Sequence, residues 1–391
     1  MLGTCFLLFC VISSLYILIQ GIQLFYLYSY KAELSKVPTE WPNISIWVAA
    51  RNEENTLERC LTSLLQMDYP SDKIQILVGN DQSTDRTGEI AKKLAEKYPQ
   101  IEVIDIVDTA DGLKAKARVM AQLDVRAKGE YFLITDADVW VNSQWAKTML
   151  RSLWKKANRS NGGKDKIIGV CSGTTLVNSP HAWGWLQEID WSYFMGLLNV
   201  ISYAGVPATA VGNNMIISKE AYWSTGGYGK ITFSITEDYK LYSEVCDQGY
   251  GWNNAMLPGV VAYSAETKGF IPLLHQRKRW LSGGKELPWY WWVLFGIFGG
   301  YYLSGFAFFA VSIFHTDVPK IWLISGISIA SAKWLLQSIQ ILKIYRNINV
   351  PTPSLWKLAM YEPFLQLITV STAVFFALPV KTIWKGRAYQ T

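Results

Sequence analysis

The sequence predicts an α/β protein whose mainly parallel sheet is flanked by transmembrane helices. Between about residues 42 and 265, short apolar runs alternate with longer charged stretches, as strands and helices of a parallel sheet do. Outside this part the chain contains long apolar segments with few charges. Only 17% of its 391 residues are charged, whereas soluble domains carry about 25%. Part of the chain is therefore expected to lie in lipid.

The first apolar segment, at about residues 2–28, is long enough to cross a bilayer, which takes about 20 helical residues. It has neither a basic start nor a small-residue cleavage pattern, so we expect a retained transmembrane anchor over residues 1–30. Lys31 and Lys36 follow it, and basic residues gather on the cytoplasmic side. We therefore expect an integral protein of the cell (plasma) membrane, with residues 31–265 in the cytoplasm.

Residues 31–265 are predicted to form one domain of strands and helices in alternation. The expected strands lie at residues 44–50, 74–79, 101–107 and 131–135, and the expected helices at residues 54–66, 85–98, 112–127 and 143–156. Ligands of such sheets bind at the carboxyl ends of the strands. The polar residues that follow each strand are therefore the candidates for a functional site.

Acidic residues follow the first two strands. Glu53 comes after the first strand and Asp81 after the second. A carboxylate at a strand end can accept a hydrogen bond from a uracil N–H or a ribose hydroxyl. The alternative is helix capping, in which these acids serve the first turn of the next helix. Asp85 is expected to cap the helix that it opens.

A D-x-D triplet, Asp136 and Asp138, follows the fourth strand. Such a triplet is expected about once by chance in a chain of this length, so its position is the informative part. At a strand end two carboxylates can reach a divalent cation, and Mg²⁺ favours one or two carboxylates together with substrate phosphates. The prediction is an Mg²⁺ or Mn²⁺ site that neutralises a leaving diphosphate. A structural turn is the alternative.

A second acidic pair, Glu237 and Asp238, opens a helical pattern directly after Thr236. Thr as N-cap with acids in the first turn is also a good capping motif. In the functional interpretation Asp238 is a general base that takes the proton of an acceptor hydroxyl, which contributes roughly 10²–10⁴-fold to a rate. Glu237 then orients a neighbouring group.

The segment Gln276–Trp280 lies within a predicted amphipathic helix at residues 266–287, at the border of hydrophobic sequence. Arg279 can pair with a diphosphate oxygen, and Trp280 can offer a flat face to a sugar. The alternative is an interfacial helix with basic residues at headgroups, and both can hold together. Lys114 can also reach a donor, or it is a solvated helix lysine.

Three more apolar stretches lie in residues 288–391, at about residues 288–314, 321–344 and 355–380. The basic tail favours the cytoplasm, but three simple crossings would leave it outside. Either the third stretch is a re-entrant hairpin broken at Pro363, or the tail charges do not decide the topology. The net charge of +6 is spread thinly with no long basic run, so no nucleic-acid partner is expected.

The order of these motifs, D-x-D, then E-D, then Q-x-x-R-W at a membrane border, resembles membrane-bound inverting glycosyltransferases of family 2. Within that family the chain is similar to the branch of ceramide glucosyltransferases, hyaluronan synthases and poly-N-acetylglucosamine synthases. The likeness spans about residues 42–285. It implies a Rossmann-like GT-A fold, a nucleotide-sugar donor that is usually a UDP-sugar, and inversion at the anomeric carbon.

The resemblance also implies roles for single residues. Asp81 matches the nucleotide-contacting aspartate, Lys114 a donor-side lysine, Asp136 a residue near the donor sugar or diphosphate, Asp138 the metal ligand, Asp238 the catalytic base, and Gln276, Arg279 and Trp280 the donor–acceptor platform. The membrane segments are fewer than in the usual polymer synthases. We therefore expect single transfer onto a membrane lipid or lipid-linked acceptor. The alternatives are a processive polysaccharide synthase with a saccharide acceptor and, in another class, an inactive scaffold.

Overall fold

The structure is a computed structural model that describes residues 2–108, 113–155, 166–314, 318–384 and 387–389. The chain divides into two compact units. The sheet unit comprises Tyr30–Glu266 and Asn347–Val350. The helical unit comprises Met1–Ser29, Thr267–Arg346 and Pro351–Thr391.

The elements alternate through the sheet unit, and long helices dominate the helical unit. The helices are α1 Leu2–Ser29, α2 Leu57–Leu65, α3 Thr87–Lys97, α4 Ala115–Asp124, α5 Trp145–Leu153, α6 Ala182–Tyr203, α7 Lys219–Ser224, α8 Glu237–Asp247, α9 Phe270–Gly283, α10 Trp289–Phe314, α11 Lys320–Asn347 and α12 Leu355–Ala377. The strands are β1 Ile44–Ala50, β2 Ile74–Asn80, β3 Ile101–Asp105, β4 Tyr131–Asp136, β5 Val139–Val141, β6 Ile168–Ser172, β7 Thr174–Val177, β8 Asn214–Ser218, β9 Gly251–Asn254, β10 Val261–Ser264, β11 Thr382–Trp384 and β12 Arg387–Tyr389.

The main sheet has seven strands in the order β3-β2-β1-β4-β8-β6-β9. The first four are parallel, and β8 runs antiparallel to both β4 and β6. Ala49 pairs with Gly79 on one side and with Asp136 on the other, so β1, β2 and β4 end at the same edge. The mainly parallel α/β sheet predicted from the sequence is confirmed. The residues that follow these three strands are consequently neighbours.

Both faces of the sheet are buried, as a parallel sheet requires. Alternate side chains of β1 point to opposite faces. Ile46 and Val48 lie in one core with Leu61 of α2. Trp47 stacks on Phe132 with ring centroids 4.7 Å apart. The continuous apolar run of β1 is therefore explained by burial on two sides.

The four predicted strands and four predicted helices are all present, with shorter helices. Helix α2 begins at Leu57 instead of residue 54, because residues 53–56 form a hydrogen-bonded turn in which the Leu57 N–H donates to the Glu53 carbonyl. The predicted helices at residues 112–127 and 143–156 each reach into residues outside the described ones. Strands β5 to β10 were not predicted. Three of them, β5, β10 and β7, form a second small sheet, and β5 follows the D-x-D triplet directly.

Three of the described helices are long and apolar enough to cross a membrane. They are Gly3–Ser29, Trp289–Phe314 and Leu355–Ala377. Helix α11 has 28 residues, but Lys333, Gln337 and other polar residues lower its mean hydropathy. Helix α12 continues through Pro363, so the re-entrant hairpin broken at this proline is wrong. A proline removes one helical hydrogen bond, and neighbouring helices can compensate for this loss.

Helix α9 carries the Q-x-x-R-W motif and packs within the helical unit. Leu273 and Leu274 on its apolar side are buried. The amine of Lys278 donates to the carbonyls of Phe375 (3.2 Å) and Leu378 (2.7 Å). These carbonyls end α12, where a cation is favourable because the helix dipole is negative there.

An ion pair lies inside the helical unit between α11 and α12. The Lys333 side chain is fully buried, and its amine lies 2.7 Å from both carboxylate oxygens of Glu362. The amine also contacts the Tyr302 hydroxyl. Charged residues inside membrane helices are costly unless they are paired, so this pair satisfies two groups that would otherwise oppose packing.

We expect Lys333→Met to destabilise the helical unit by about 3–5 kcal/mol, because a partly buried Glu362 carboxylate loses its partner. Lys333→Met combined with Glu362→Gln should recover most of this loss, since neither charge then remains. Thermal unfolding in detergent measures both effects. Lys320→Met, at the exposed start of the same helix, is the control. Equal melting temperatures for Lys333→Met and the control would contradict the prediction.

Candidate active site

The loops after β1 and β2 are tied to each other at the carboxyl edge of the sheet. The Asn52 N–H donates to the Ser83 hydroxyl (3.1 Å), and the Thr84 N–H donates to the Asn52 side-chain oxygen (2.9 Å). Glu53 Oε2 accepts a hydrogen bond of 2.6 Å from Thr56. Glu53 thus supports the turn that leads into α2, as the capping alternative expects. A donor contact by Glu53 stays a prediction.

Asp81 takes part in an ion-pair network instead of capping a helix. It is buried, and its Oδ1 lies 2.6 Å from Arg118 Nη2, while its Oδ2 lies 4.0 Å from Arg51 Nη1. Arg118 also pairs with Asp108. The sequence interpretation missed Arg118. A signal was present, because an arginine between the apolar residues Ala117 and Val119 falls on a buried helix face and needs an acid there.

The described lysine that contacts both acidic pairs is Lys116, two residues after the predicted Lys114. Its amine lies 2.6 Å from Asp136 Oδ1 and 3.6 Å from Glu237 Oε1, and it donates to the Gly212 carbonyl at 2.9 Å. Burial alone would lower the pKa of this amine, but the carboxylates of Asp136 and Glu237 outweigh burial and raise the pKa. The amine therefore stays protonated. The side chain of Lys114 is exposed, and its donor-side role stays a prediction.

The D-x-D triplet spans the junction of the two sheets. Asp136 is the last residue of β4, and Asp138 lies in the turn directly before β5. Burial, and then repulsion from Asp136, raise the pKa of the Asp138 carboxyl to about 7. The turn expected by the structural alternative is present. The role of Asp138 as a metal ligand stays a prediction.

Asp238 is fixed by two backbone N–H groups. Its Oδ2 accepts from Gly212 and its Oδ1 from Tyr239, both at 2.8 Å. Each carboxylate oxygen keeps a further lone pair, so the group can still accept a proton. Thr236 precedes α8, but its side chain makes no capping hydrogen bond, which argues against the Thr-cap alternative. The geometry suits a base that is held in one orientation.

Gly212 is a second residue that the sequence interpretation did not place in the site itself. A Cβ atom at this position would lie 2.8 Å from the Cβ of Asp238. Glycine therefore permits the close approach of the chain to the second acidic pair. The sequence Gly212-Asn213-Asn214 predicts only a backbone-permissive loop near an acceptor site, without a contact to Asp238.

The acids fit a divalent cation that is bound together with a phosphate ligand. Among the described residues, no group of three or more His, Cys, Asp or Glu side chains could hold a metal. Asp138, with Asp136 beside it, would supply carboxylate oxygens, which Mg²⁺ and Mn²⁺ prefer, and phosphate oxygens and water would complete the shell. The donor set therefore fits Mg²⁺ or Mn²⁺ in the presence of a diphosphate.

The predicted platform residues Gln276, Arg279 and Trp280 all lie on α9, in the helical unit. The guanidinium of Arg277 lies 4.9 Å from the centroid of the Trp280 ring, which makes a cation–π contact. The roles predicted for Gln276, Arg279 and Trp280 stay predictions.

Comparison with known protein families identifies the chain. Residues 45–225 match the model of glycosyl transferase family 2, and residues 157–368, more than half of the chain, match glycosyl transferase family group 2. The chain belongs to glycosyltransferase family 2. The resemblance seen in its motifs is thereby confirmed, and the protein is a glycosyltransferase with candidate membrane helices before and after the residues of its sheet unit in the sequence.

Similar family 2 glycosyltransferases include enzymes of lipid and of polysaccharide synthesis. The beta-monoglucosyldiacylglycerol synthase of Synechocystis sp. is 27% identical over 265 residues, 67% of this chain and 52% of that protein. The poly-beta-1,6-N-acetyl-D-glucosamine synthase of Staphylococcus aureus is 27% identical over 289 residues, 72% of this chain and 65% of that protein. The matched part is thus about half to two thirds of the length of these curated relatives.

A solved structure supports the fold of this glycosyltransferase. A mannosyltransferase from Pyrobaculum calidifontis, solved in complex with GDP-Man and Mn²⁺, superposes with a TM-score of 0.54 at 18% identity. The match covers 94% of this chain and 98% of that one. At this identity the likeness shows the fold alone. The GT-A-like sheet predicted from the sequence is confirmed.

Proposed function

We propose that this glycosyltransferase moves one sugar, with inversion, from a UDP-sugar to a membrane lipid or lipid-linked acceptor. The reaction uses Mg²⁺ or Mn²⁺. One observation carries the proposal: Lys116 contacts both Asp136 of the first acidic pair and Glu237 of the second. Two pairs that are far apart in sequence therefore form one acidic cluster at the edge of a sheet, where α/β proteins bind ligands.

The proposed chemistry is a single displacement. Asp238 takes the proton of the acceptor hydroxyl while the new bond to the anomeric carbon forms and the bond to the diphosphate breaks. The acceptor attacks opposite the leaving group, so the configuration inverts. Asp138, with Asp136 beside it, would hold the divalent cation, which neutralises the negative charge that develops on the diphosphate.

Asp81 is proposed to contact the nucleotide from the end of β2. Arg118 and Arg51 lie beside its carboxylate, so the group is fixed in orientation before a ligand arrives. A fixed carboxylate can accept from an N–H of the base or from a ribose hydroxyl. Glu53, in the neighbouring loop, and the exposed Lys114 are proposed as further donor contacts.

The lipid acceptor is supported by the Synechocystis relative, whose name gives a glucosyldiacylglycerol as product. The second candidate is a processive polysaccharide synthase, which the S. aureus relative favours. For either function we propose the plasma membrane as location, with the sheet unit in the cytoplasm, because Lys31 and Lys36 follow the first membrane helix. Helix α9, with Gln276, Arg279 and Trp280, would lie at the membrane surface.

A donor screen tests the proposal. Purified protein in detergent is incubated with lipid extract, Mn²⁺ and radiolabelled UDP-sugars, with GDP-mannose included because the mannosyltransferase structure holds it. Label in one organic-soluble product, lost on addition of EDTA, is the expected result. A water-soluble ladder would establish the processive alternative instead. The anomeric configuration of the product, read by NMR, tests inversion.

A further inference from the structure

Lys116 has no role in the motifs described above. We propose that Lys116 is a positioning residue that orients the base Asp238 through Gly212 and holds the acidic cluster together by its charge. This inference rests on the proposed function, since it requires Asp238 to be the base. It adds Lys116 to the residues on which turnover depends, although Lys116 itself needs no contact with substrate.

The first argument is a continuous path of hydrogen bonds. The amine of Lys116 donates to the Gly212 carbonyl at 2.9 Å, and the Gly212 N–H donates to Asp238 Oδ2 at 2.8 Å. Glycine has the widest choice of backbone angles, so its own conformation does not fix the direction of its N–H group. Lys116 anchors the carbonyl side of this residue. This anchor restricts the two backbone angles that separate the Gly212 carbonyl from the N–H that orients Asp238.

The second argument is charge. Asp136, Glu237 and Asp238 place three carboxyl groups around one amine, and only 11% of the Lys116 side chain is exposed. Like charges in a poorly solvated site repel, and a protonated amine between them offsets that repulsion. Without Lys116 the side chain of Glu237 would be expected to move away from Asp136, and the start of α8 with Asp238 would shift with Glu237.

The contacts of the amine show why Lys116 acts through other residues. A lysine amine has three protons to donate. Two of them serve Asp136 and Gly212, and Glu237 lies within ion-pairing distance at 3.6 Å. These protein acceptors match the donors of the amine. Its effect on turnover is therefore expected to pass through Asp238.

A double-mutant cycle tests this path with the nucleotide sugar that is active in the donor screen. Lys116→Met should lower kcat at least about 10-fold while changing the KM of the donor less than about threefold. Lys116→Met combined with Asp238→Asn should be no slower than Asp238→Asn alone, because the effects of residues that act as a unit are not additive.

Two further variants serve as controls. Lys116→Arg, which keeps the charge, should restore part of the turnover that Lys116→Met loses. Lys93→Met, at an exposed lysine of α3, should match the wild type.

Gly212→Ala tests the same path without changing any charge. Its new Cβ would lie 2.8 Å from the Cβ of Asp238, so Asp238 must shift. We expect lower kcat, unchanged affinity for UDP with Mn²⁺ by calorimetry, and no further loss when Gly212→Ala is added to Asp238→Asn. If Lys116→Met does not fold by thermal melting, Lys116→Arg and Gly212→Ala decide the question.

Three outcomes would overturn the inference, and they distinguish its failure from that of the proposed function. If the losses from Lys116→Met and Asp238→Asn multiply, or if Lys116→Met turns over like the wild type, Lys116 does not act through Asp238, and the proposed function stands. If Asp238→Asn itself keeps wild-type turnover, the base assignment fails, and the role of Lys116 fails with it.

Discussion

Asp238→Asn is expected to lower kcat by roughly 10²–10⁴-fold, the contribution of a positioned general base. The carboxylate accepts one backbone N–H on each oxygen, from Gly212 and from Tyr239. An amide offers one acceptor oxygen and cannot take a proton from the acceptor hydroxyl at neutral pH. Affinity for UDP and Mn²⁺ should be retained, because the substitution removes no predicted donor contact. Transfer rate and calorimetry on the same preparation measure both.

The control for this substitution is Asp247→Asn, at the exposed end of the same helix. It removes an equal charge from α8 without touching the acidic cluster, and it should turn over like the wild type. Asp238→Asn leaves one backbone N–H without an acceptor, so a modest loss of stability is expected. Thermal melting measures this loss and distinguishes it from a loss of catalytic rate. Turnover of Asp238→Asn near the wild-type rate would remove Asp238 from the base position.

The positions of the main acids could be predicted from the sequence because each acid adjoins a recognisable element. Asp81 and Asp136 end buried apolar runs, and parallel strands bring such ends to one edge. Asp238 opens a helix with a clear pattern. The observed register places Ala49 beside both Gly79 and Asp136, as this argument requires. The apolar pattern was sufficient to locate these strand ends, since burial on both faces of the sheet gives each strand a continuous apolar run in the sequence.

The partners of these acids could not be predicted in the same way. Lys114 and Lys116 differ by two residues, and their surroundings depend on where α4 begins. Ala115 has a positive φ of 51° at this start, a conformation that sequence patterns do not reveal for alanine. Lys114 is exposed as a result, while Lys116 reaches the acids. Gly212 was equally hidden, because its contact with Asp238 depends on how two distant segments meet.

The second half of the sheet was missed for another reason. Strands β5 to β10 have only three to five residues each, too few for alternation to be distinguished from a short apolar run. One of them, β8, runs antiparallel between β4 and β6, and alternation of strands and helices predicts only parallel neighbours. Strand β8 begins two residues after Gly212. The strand that the sequence did not predict therefore positions the glycine whose contact with Asp238 was also not predicted.

Asp138→Ala is expected to weaken the Mn²⁺-dependent binding of UDP by more than about 100-fold, beyond the ~10–100-fold seen when only an outer partner of a metal ligand is lost. The reason is that few carboxylates are available to bind the cation. Asp136 already pairs with Lys116, so Asp138 is the carboxylate of the triplet that is left to bind a cation directly. Calorimetry of UDP with and without Mn²⁺ gives the metal-dependent part of the affinity.

Asp72→Ala, which removes an exposed acid from the loop before β2, is the matched control and should leave that affinity unchanged. Asp136→Ala provides the sharper comparison, because it removes a carboxylate two residues away and frees Lys116. If Asp138 binds the metal and Asp136 lies nearer the sugar or diphosphate, Asp138→Ala should abolish the Mn²⁺ dependence, whereas Asp136→Ala should lower donor affinity with Mn²⁺ dependence retained. Unchanged Mn²⁺ dependence in Asp138→Ala would assign the cation to other residues.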